Sequence, residues 1–177
     1  ENLILGIHFL LLKKCKIFDE KTIVTCYTGR SMRINVRKHE RRGYQSIKMS
    51  NILEKQFLKQ RNDFEKSCVE RDKKYHFPQG VIFETDIAYA KDKNKAHRLD
   101  RYRPKGKETQ ILPVIINVHG GGLLLGNKEF NKYFCALLSK KGFLVYSMEY
   151  RLIPDCTFFD QLRDIFLAMD FVKEHAA

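Results

Sequence analysis

The chain has 177 residues, of which 44% are hydrophobic and 12% aromatic, with ten Gly and four Pro. That apolar content excludes a disordered chain, and the modest Gly and Pro content excludes collagen-like or low-complexity architecture. Lys and Arg number 33 against 21 Asp and Glu, and of the resulting net charge of +12 the first 80 residues hold +9 and residues 81–177 only +3.

No window reaches the roughly 18 consecutive apolar residues that a membrane-spanning helix needs, so a soluble protein is expected. The N-terminal apolar run Leu3 to Leu12 is followed by Lys13 and Lys14, whereas a secretory signal has its basic residues in front. The chain starts at Glu1 and not at Met, which leaves open a segment upstream. The five cysteines, Cys15, Cys26, Cys68, Cys135 and Cys156, are odd in number and form no C-x-x-C pair. Neither a disulfide framework nor a zinc site follows from that spacing, and reduced thiols in a cytoplasm are the expectation.

Residues 1–80 are read as one basic, mostly helical region. Leu3, Ile7, Leu10 and Leu11 recur at helical spacing, as do apolar residues within the charged stretch Asn51 to Lys74. Between these two predicted helices lie the β-branched Thr22 to Tyr27 and a basic stretch with Arg30, Arg33, Arg37, Lys38, Arg41 and Arg42. Such a cluster admits a non-catalytic module that holds nucleic acid or an anionic surface, but no aromatic motif accompanies it. A solvated charged face, with no specific nucleic-acid partner, is preferred.

Residues 81–177 are more legible. Val81 to Tyr89 and Leu99 to Arg103 read as an antiparallel strand pair around the turn Lys91 to Arg98, stopped by Pro104-Lys105-Gly106. Leu112 to Val118 is a near-continuous apolar run, the signature of a strand buried on both faces. A helix from Glu129 to Lys141 is predicted with Phe130, Phe134, Leu137 and Leu138 on one face and Gly142 as its stop. Phe143 to Met148 is the next buried strand. A last helix carries Phe158, Leu162, Ile165, Phe166, Met169 and Val172 on one stripe, with Thr157 or Asp155 as N-cap. Strand, helix, strand, helix argues for an α/β fold with a parallel sheet and right-handed crossovers.

The chemistry is concentrated in His119-Gly120-Gly121-Gly122, directly after a buried strand, where open α/β sheets place their ligands. Three consecutive glycines weaken regular structure but allow a sharp turn that presents bare N–H groups. Fixed N–H donors of this kind stabilise the oxyanion of acyl transfer. A dinucleotide loop is the alternative, since Gly120, Gly122 and Gly126 form a loose glycine pattern and Glu149 ends the next strand. The separation from Gly122 to Glu149 exceeds the roughly 20 residues which that motif uses.

His119 to Gly126, together with Glu149-Tyr150-Arg151-Leu152-Ile153-Pro154-Asp155, Phe158, Asp164 and Leu99 to Pro104, resembles the hormone-sensitive-lipase-like branch of the α/β-hydrolase esterases over residues 81–177. The resemblance implies an oxyanion hole from Gly120, Gly121 and Gly122, with His119 and Gly126 as structural parts of the loop. Tyr150 and Arg151 would close the end of the following strand, with Pro154 as part of the motif and Asp155 or Asp164 pairing with Arg151. Residues 1–80 would be a cap-like region before the hydrolase core. Leu123 stands where the family commonly has an aromatic, Asp155 where it has Glu, and Phe159, Asp160 and Gln161 where it has Pro and small residues. The family's nucleophile lies in G-x-S-x-G, yet none of the six serines (Ser31, Ser46, Ser50, Ser67, Ser139, Ser147) has those flanks. The reading is therefore the N-terminal portion of a hydrolase of small carboxylic esters, ending before the nucleophile elbow, with its triad expected after Ala177. By itself it should be inactive. No cofactor or metal is implied, and a homo-oligomer is compatible with the sequence.

Overall fold

The computed structural model describes the backbone of residues 8–12 and the chain from 51 to 176. The β-branched segment Thr22 to Tyr27 and the basic stretch at 30–42 lie outside the described residues. The elements are β1 (His8–Leu12), α1 (Asn51–Asp72), β2 (Val81–Ala88), β3 (Arg98–Pro104), β4 (Val114–Val118), α2 (Lys132–Lys140), β5 (Leu144–Met148) and α3 (Phe158–His175). Among the described residues no helix is long and apolar enough to cross a membrane.

The strands form one mixed sheet in the order β1-β4-β5-β3-β2. Only β4 and β5 run parallel, in register from Val114↔Leu144 to Val118↔Met148, and α2 is the crossover that a parallel pair requires. The expected hairpin of β2 and β3 is present, and a bulge between Glu84 and Ile87 places Asp86 at φ 58°. The helix predicted from Leu3 to Leu11 is not formed where the chain is described: His8–Leu12 is extended and antiparallel to β4, from His8↔Val118 to Leu12↔Val114. Pairing supplies partners for the edge N–H and C=O groups of β4, and that outweighs a short helical periodicity.

Alternation along the buried strands divides the core. Val114, Ile116, Leu144, Tyr146 and Met148 pack with Leu99 against Ala168, Met169 and Val172 of α3. Ile115, Val145 and Tyr102 meet Cys135 and Ala136 of α2 on the other face. Burial pushes the Cys135 thiol up to about 12, so it behaves as a small apolar side chain.

In α2 only Leu138 of the predicted face within the helix packs on the core, whereas α3 keeps much of its predicted stripe, with Met169 and Val172 buried and Ile165 and Phe166 packed against the core. In α2, Phe134 and Leu137 are 41% and 52% exposed, and Cys135, Ala136 and Ser139 are the buried residues. Small side chains let this helix approach the sheet closely, which bulky ones on the same face would prevent. The helix also starts at Lys132 and not at Glu129: residues 127–131 form turns closed by Phe130 N–H to Asn127 O (3.1 Å) and Lys132 N–H to Glu129 O (3.0 Å), while the Lys128 N–H donates to Glu149 Oε2 (3.1 Å). In α3 the buried stripe runs through Gln161, Asp164, Ala168, Met169 and Val172, and Phe158 is 46% exposed. Thr157 is the N-cap: its Oγ1 accepts from the Asp160 N–H, and the Asp160 carboxylate accepts from the Thr157 N–H, a reciprocal capping box.

Replacing Ile116 by Ala should cost about 2–5 kcal/mol by denaturant unfolding, as expected for a fully buried aliphatic side chain. Leu137→Ala, on the face that the periodicity placed inward, should change stability by no more than about 0.5 kcal/mol.

Candidate active site

The site is the loop from His119 to Lys128 at the C-terminal end of β4, and its two ends are held by one carboxylate. Glu149, one residue beyond β5, has its Oε1 3.0 Å from His119 Nε2, while its Oε2 accepts the Lys128 N–H at 3.1 Å. A carboxylate only accepts, so this contact puts the proton on Nε2 of His119. Glu149 is itself fixed through its backbone, its N–H donating to Arg98 O (2.8 Å) and its carbonyl lying 2.9 Å from the Tyr89 hydroxyl. The residue considered as a ribose partner is thus occupied in shaping the loop.

His119 is buried, with 1% of its surface exposed, and its ring stacks on Tyr150 with centroids 4.3 Å apart. Burial pushes the Tyr150 hydroxyl upward, so it stays protonated and donates to the His119 carbonyl at 2.8 Å. Nε2 faces the Glu149 carboxylate, and Nδ1 lies 3.1 Å from Gly120 O within the loop. The imidazole is enclosed in the loop.

Steric demands at two positions explain the glycines. Gly121 has φ 140°, and a Cβ there would sit 1.9 Å from the Leu125 carbonyl oxygen. A Cβ on Gly126 would lie 2.4 Å from Gly120 O and 2.5 Å from His119 Nδ1. The turn closes when the N–H groups of Leu124 (3.2 Å) and Leu125 (3.0 Å) donate to the Gly121 carbonyl. Gly122 and Leu123 follow at φ 62° and 70°. Among the described residues, the N–H groups of Gly121 and Gly122 have no hydrogen-bond acceptor, and Gly122 is exposed. Two adjacent donors on a constrained turn are an arrangement suited to a developing negative charge.

The turn after β5 supports this loop. Arg151 donates from Nε to Asp164 Oδ2 (2.9 Å) and from Nη2 to Oδ1 (2.7 Å), and its backbone N–H also reaches Oδ2 (3.1 Å). Hydrogen bonding to Asp164 therefore drives the guanidinium still higher in pKa. His97 Nε2 lies 3.0 Å from Asp164 Oδ1, but off the direction a hydrogen bond requires. Of the two expected partners of Arg151, only Asp164 serves; Asp155 instead binds Arg61 of α1 at 3.0 Å. Pro154 follows a cis peptide from Ile153, whose N–H donates to Leu123 O at 3.0 Å.

Three contributors were not singled out as site residues in the sequence. Gln161 is buried, and its Nε2 donates to both Leu123 O and Arg151 O at 3.0 Å, joining the two turns. In the sequence it stood out only as one of three residues, with Phe159 and Asp160, where the family has Pro and small residues. Arg61 reaches Leu124 O from α1 at 2.8 Å, and no local pattern in a charged helix marks it. Lys128 is buried among Asp100 (3.1 Å), Asp86 (3.2 Å) and Glu129 (3.3 Å). Beneath it, Ser147 donates to the Lys128 carbonyl at 2.6 Å and accepts from Asn117 at 2.9 Å, a polar seam between sheet and loop.

A mixed sheet with one crossover, a glycine loop after β4 and an arginine-clamped turn after β5 together define the N-terminal part of an α/β-hydrolase. Residues 99–177 match the family model BD-FAE. The fold superposes on esterase B of Lactobacillus rhamnosis with TM-score 0.60 and 27% identity, over 70% of this chain and 41% of that one. It also superposes on a bacterial heroin esterase with TM-score 0.55 and 26% identity, over 66% and 36%. Among curated proteins, a 3-O-acetylpapaveroxine carboxylesterase of Papaver somniferum is 33% identical over 97 residues, 50% of this chain and 30% of its own length. A tuliposide A-converting enzyme of Tulipa gesneriana is 32% identical over 69 residues, 37% and 18% respectively. The chain thus spans well under half the length of each of these relatives. Over residues 99–177 it carries a BD-FAE match, and its fold is similar to the N-terminal part of α/β-hydrolase esterases.

Gly121→Ala should distort the loop, because backbone and not a movable side chain blocks the added methyl. Gly122→Ala meets open space and bears only the left-handed strain, about 1–2 kcal/mol. Thermal unfolding should rank the wild type above Gly122→Ala and Gly122→Ala above Gly121→Ala. Asp164→Ala strands the Arg151 guanidinium and should cost about 3 kcal/mol in denaturant unfolding.

Proposed function

We propose that this chain provides the oxyanion hole of a serine hydrolase that cleaves small carboxylic esters. The Gly121 and Gly122 N–H groups are the donors, and Gly120 shapes the turn. The nucleophile, acid and base come from residues outside the 177. The carrying observation is that these two amides are without acceptors on a loop whose ends Glu149 holds. In the tetrahedral state the ester carbonyl oxygen becomes negative. Donors already fixed in place meet that charge without reorganising, and loss of one such donor typically costs about 10²–10³ in kcat.

The described nucleophile candidates support this division of labour. Ser139 and Ser147 are buried, and Ser67 on α1 donates to Phe64 O at 2.6 Å. Burial raises the thiols of Cys135, Cys156 and Cys68, which leaves them poor in thiolate at neutral pH. His119 serves the loop and not a serine. The carboxylesterases among the relatives are consistent with an ester substrate.

The purified 177-residue chain should not turn over p-nitrophenyl acetate, whereas a product extended by the following encoded residues should, with inhibition by a serine-directed phosphonate. Phosphonate-sensitive turnover by the 177 residues alone would contradict the proposal. So would an encoded continuation without a G-x-S-x-G elbow.

A further inference from the structure

We propose that Arg61 of α1 is a positioning residue for the oxyanion loop, setting the 121–125 turn from a point 60 residues upstream of the glycine motif. The inference rests on the reading above that this turn is the working part of the site. It goes further by making α1 part of that site.

All three donating edges of the Arg61 guanidinium are engaged. Nε donates to the Leu124 carbonyl at 2.8 Å, Nη2 to the Ile153 carbonyl, and Nη1 to Asp155 Oδ2 at 3.0 Å. Its side chain is only 15% exposed. Leu124 is the residue whose N–H closes the turn on Gly121 O, so the peptide groups flanking it are gripped from both sides. Ile153 is likewise bound twice, its N–H to Leu123 O and its carbonyl to Arg61. A closed ring results, running from Leu123 and Leu124 through Arg61 to Ile153 and back. A planar fork can hold two carbonyls in fixed directions, which the point charge of a lysine cannot do.

The way α1 is attached makes this contact consequential. Ile52, Leu58 and Val69 are exposed, so the helix has no continuous apolar face on the core. Its C-terminal end is tied by Arg71 Nη2 to Phe130 O (2.9 Å) and by Asp72 to Lys132 (2.8 Å), and Phe64 packs on Phe130. Arg61 is the tether that reaches the loop. Asp155 is 67% exposed, and an ion pair so open to water contributes little. The two carbonyl bonds do the positioning.

Amide hydrogen exchange and ¹H–¹⁵N spectra of the 177-residue chain test this. Arg61→Ala should raise exchange at Leu124 and Leu125 at least about tenfold and move the Gly121 and Gly122 resonances, while the β4–β5 ladder keeps its protection. Arg61→Lys should restore only part of the protection, and Asp155→Asn should leave the loop within about twofold of wild type. Unchanged exchange across 121–125 in Arg61→Ala, or loosening of the whole chain in parallel, would overturn the proposal. In an extended protein with esterase activity, Arg61→Ala should lower kcat with KM little changed. Absence of any such activity would count against the proposed function, and the amide measurement would still decide the role of Arg61.

Discussion

The arrangement of the site depends on the Glu149 carboxylate. A loop that starts at His119 and ends at Lys128 has its two ends brought to one side chain, which stands one residue past the strand next to the one the loop leaves. With its ends joined, the loop must turn tightly inside, and tight turning at Gly121 and Gly126 is possible only without a Cβ. Inward groups are satisfied by the loop's own closure, the Gly121 carbonyl by Leu124 and Leu125 and the His119 carbonyl by Tyr150. The amides of Gly121 and Gly122 are among the loop N–H groups that this closure does not use.

That geometry is supported by a sheet whose α2-facing side changes character along its length. Ile115, Val145 and Tyr102 form an apolar patch under α2. Toward the loop the same side carries Asn117, Ser147 and Asp100, all fully buried. Burial pushes Asp100 above the usual carboxylate range even though Lys128 and the Asp86 N–H bind it. Taking such charges out of water is costly, and a buried pair of this kind adds little net stability. What it does supply is direction: Lys128 is held at the point where the loop must end, and its carbonyl and amide are both engaged.

Much of the architecture from Val81 onward was legible in the residues. Continuous apolar runs marked β4 and β5, the turn at 91–98 marked the β2–β3 hairpin, and Thr157 was one of two residues marking the start of α3. Helix faces were less legible. Phe134, Leu137 and Phe158 satisfy a 3.6-residue period but are substantially exposed, because periodicity identifies a stripe and cannot say which stripe the sheet will accept. The helical spacing of Leu10 and Leu11 was misleading for a related reason: a strand edge elsewhere in the chain claimed that backbone.

The sequence by itself determined the fold class and singled out the glycine loop, because a glycine triplet after a buried strand and an arginine turn after the next are local patterns with a local physical cause. The tertiary structure decided how the loop is held. Glu149 across to His119 and Lys128, Asp164 rather than Asp155 to Arg151, and Arg61 and Gln161 to the carbonyls of the two turns are contacts between residues 10 to 92 positions apart. Their partners are set by where the sheet and helices bring the backbone, and no spacing along the chain encodes that.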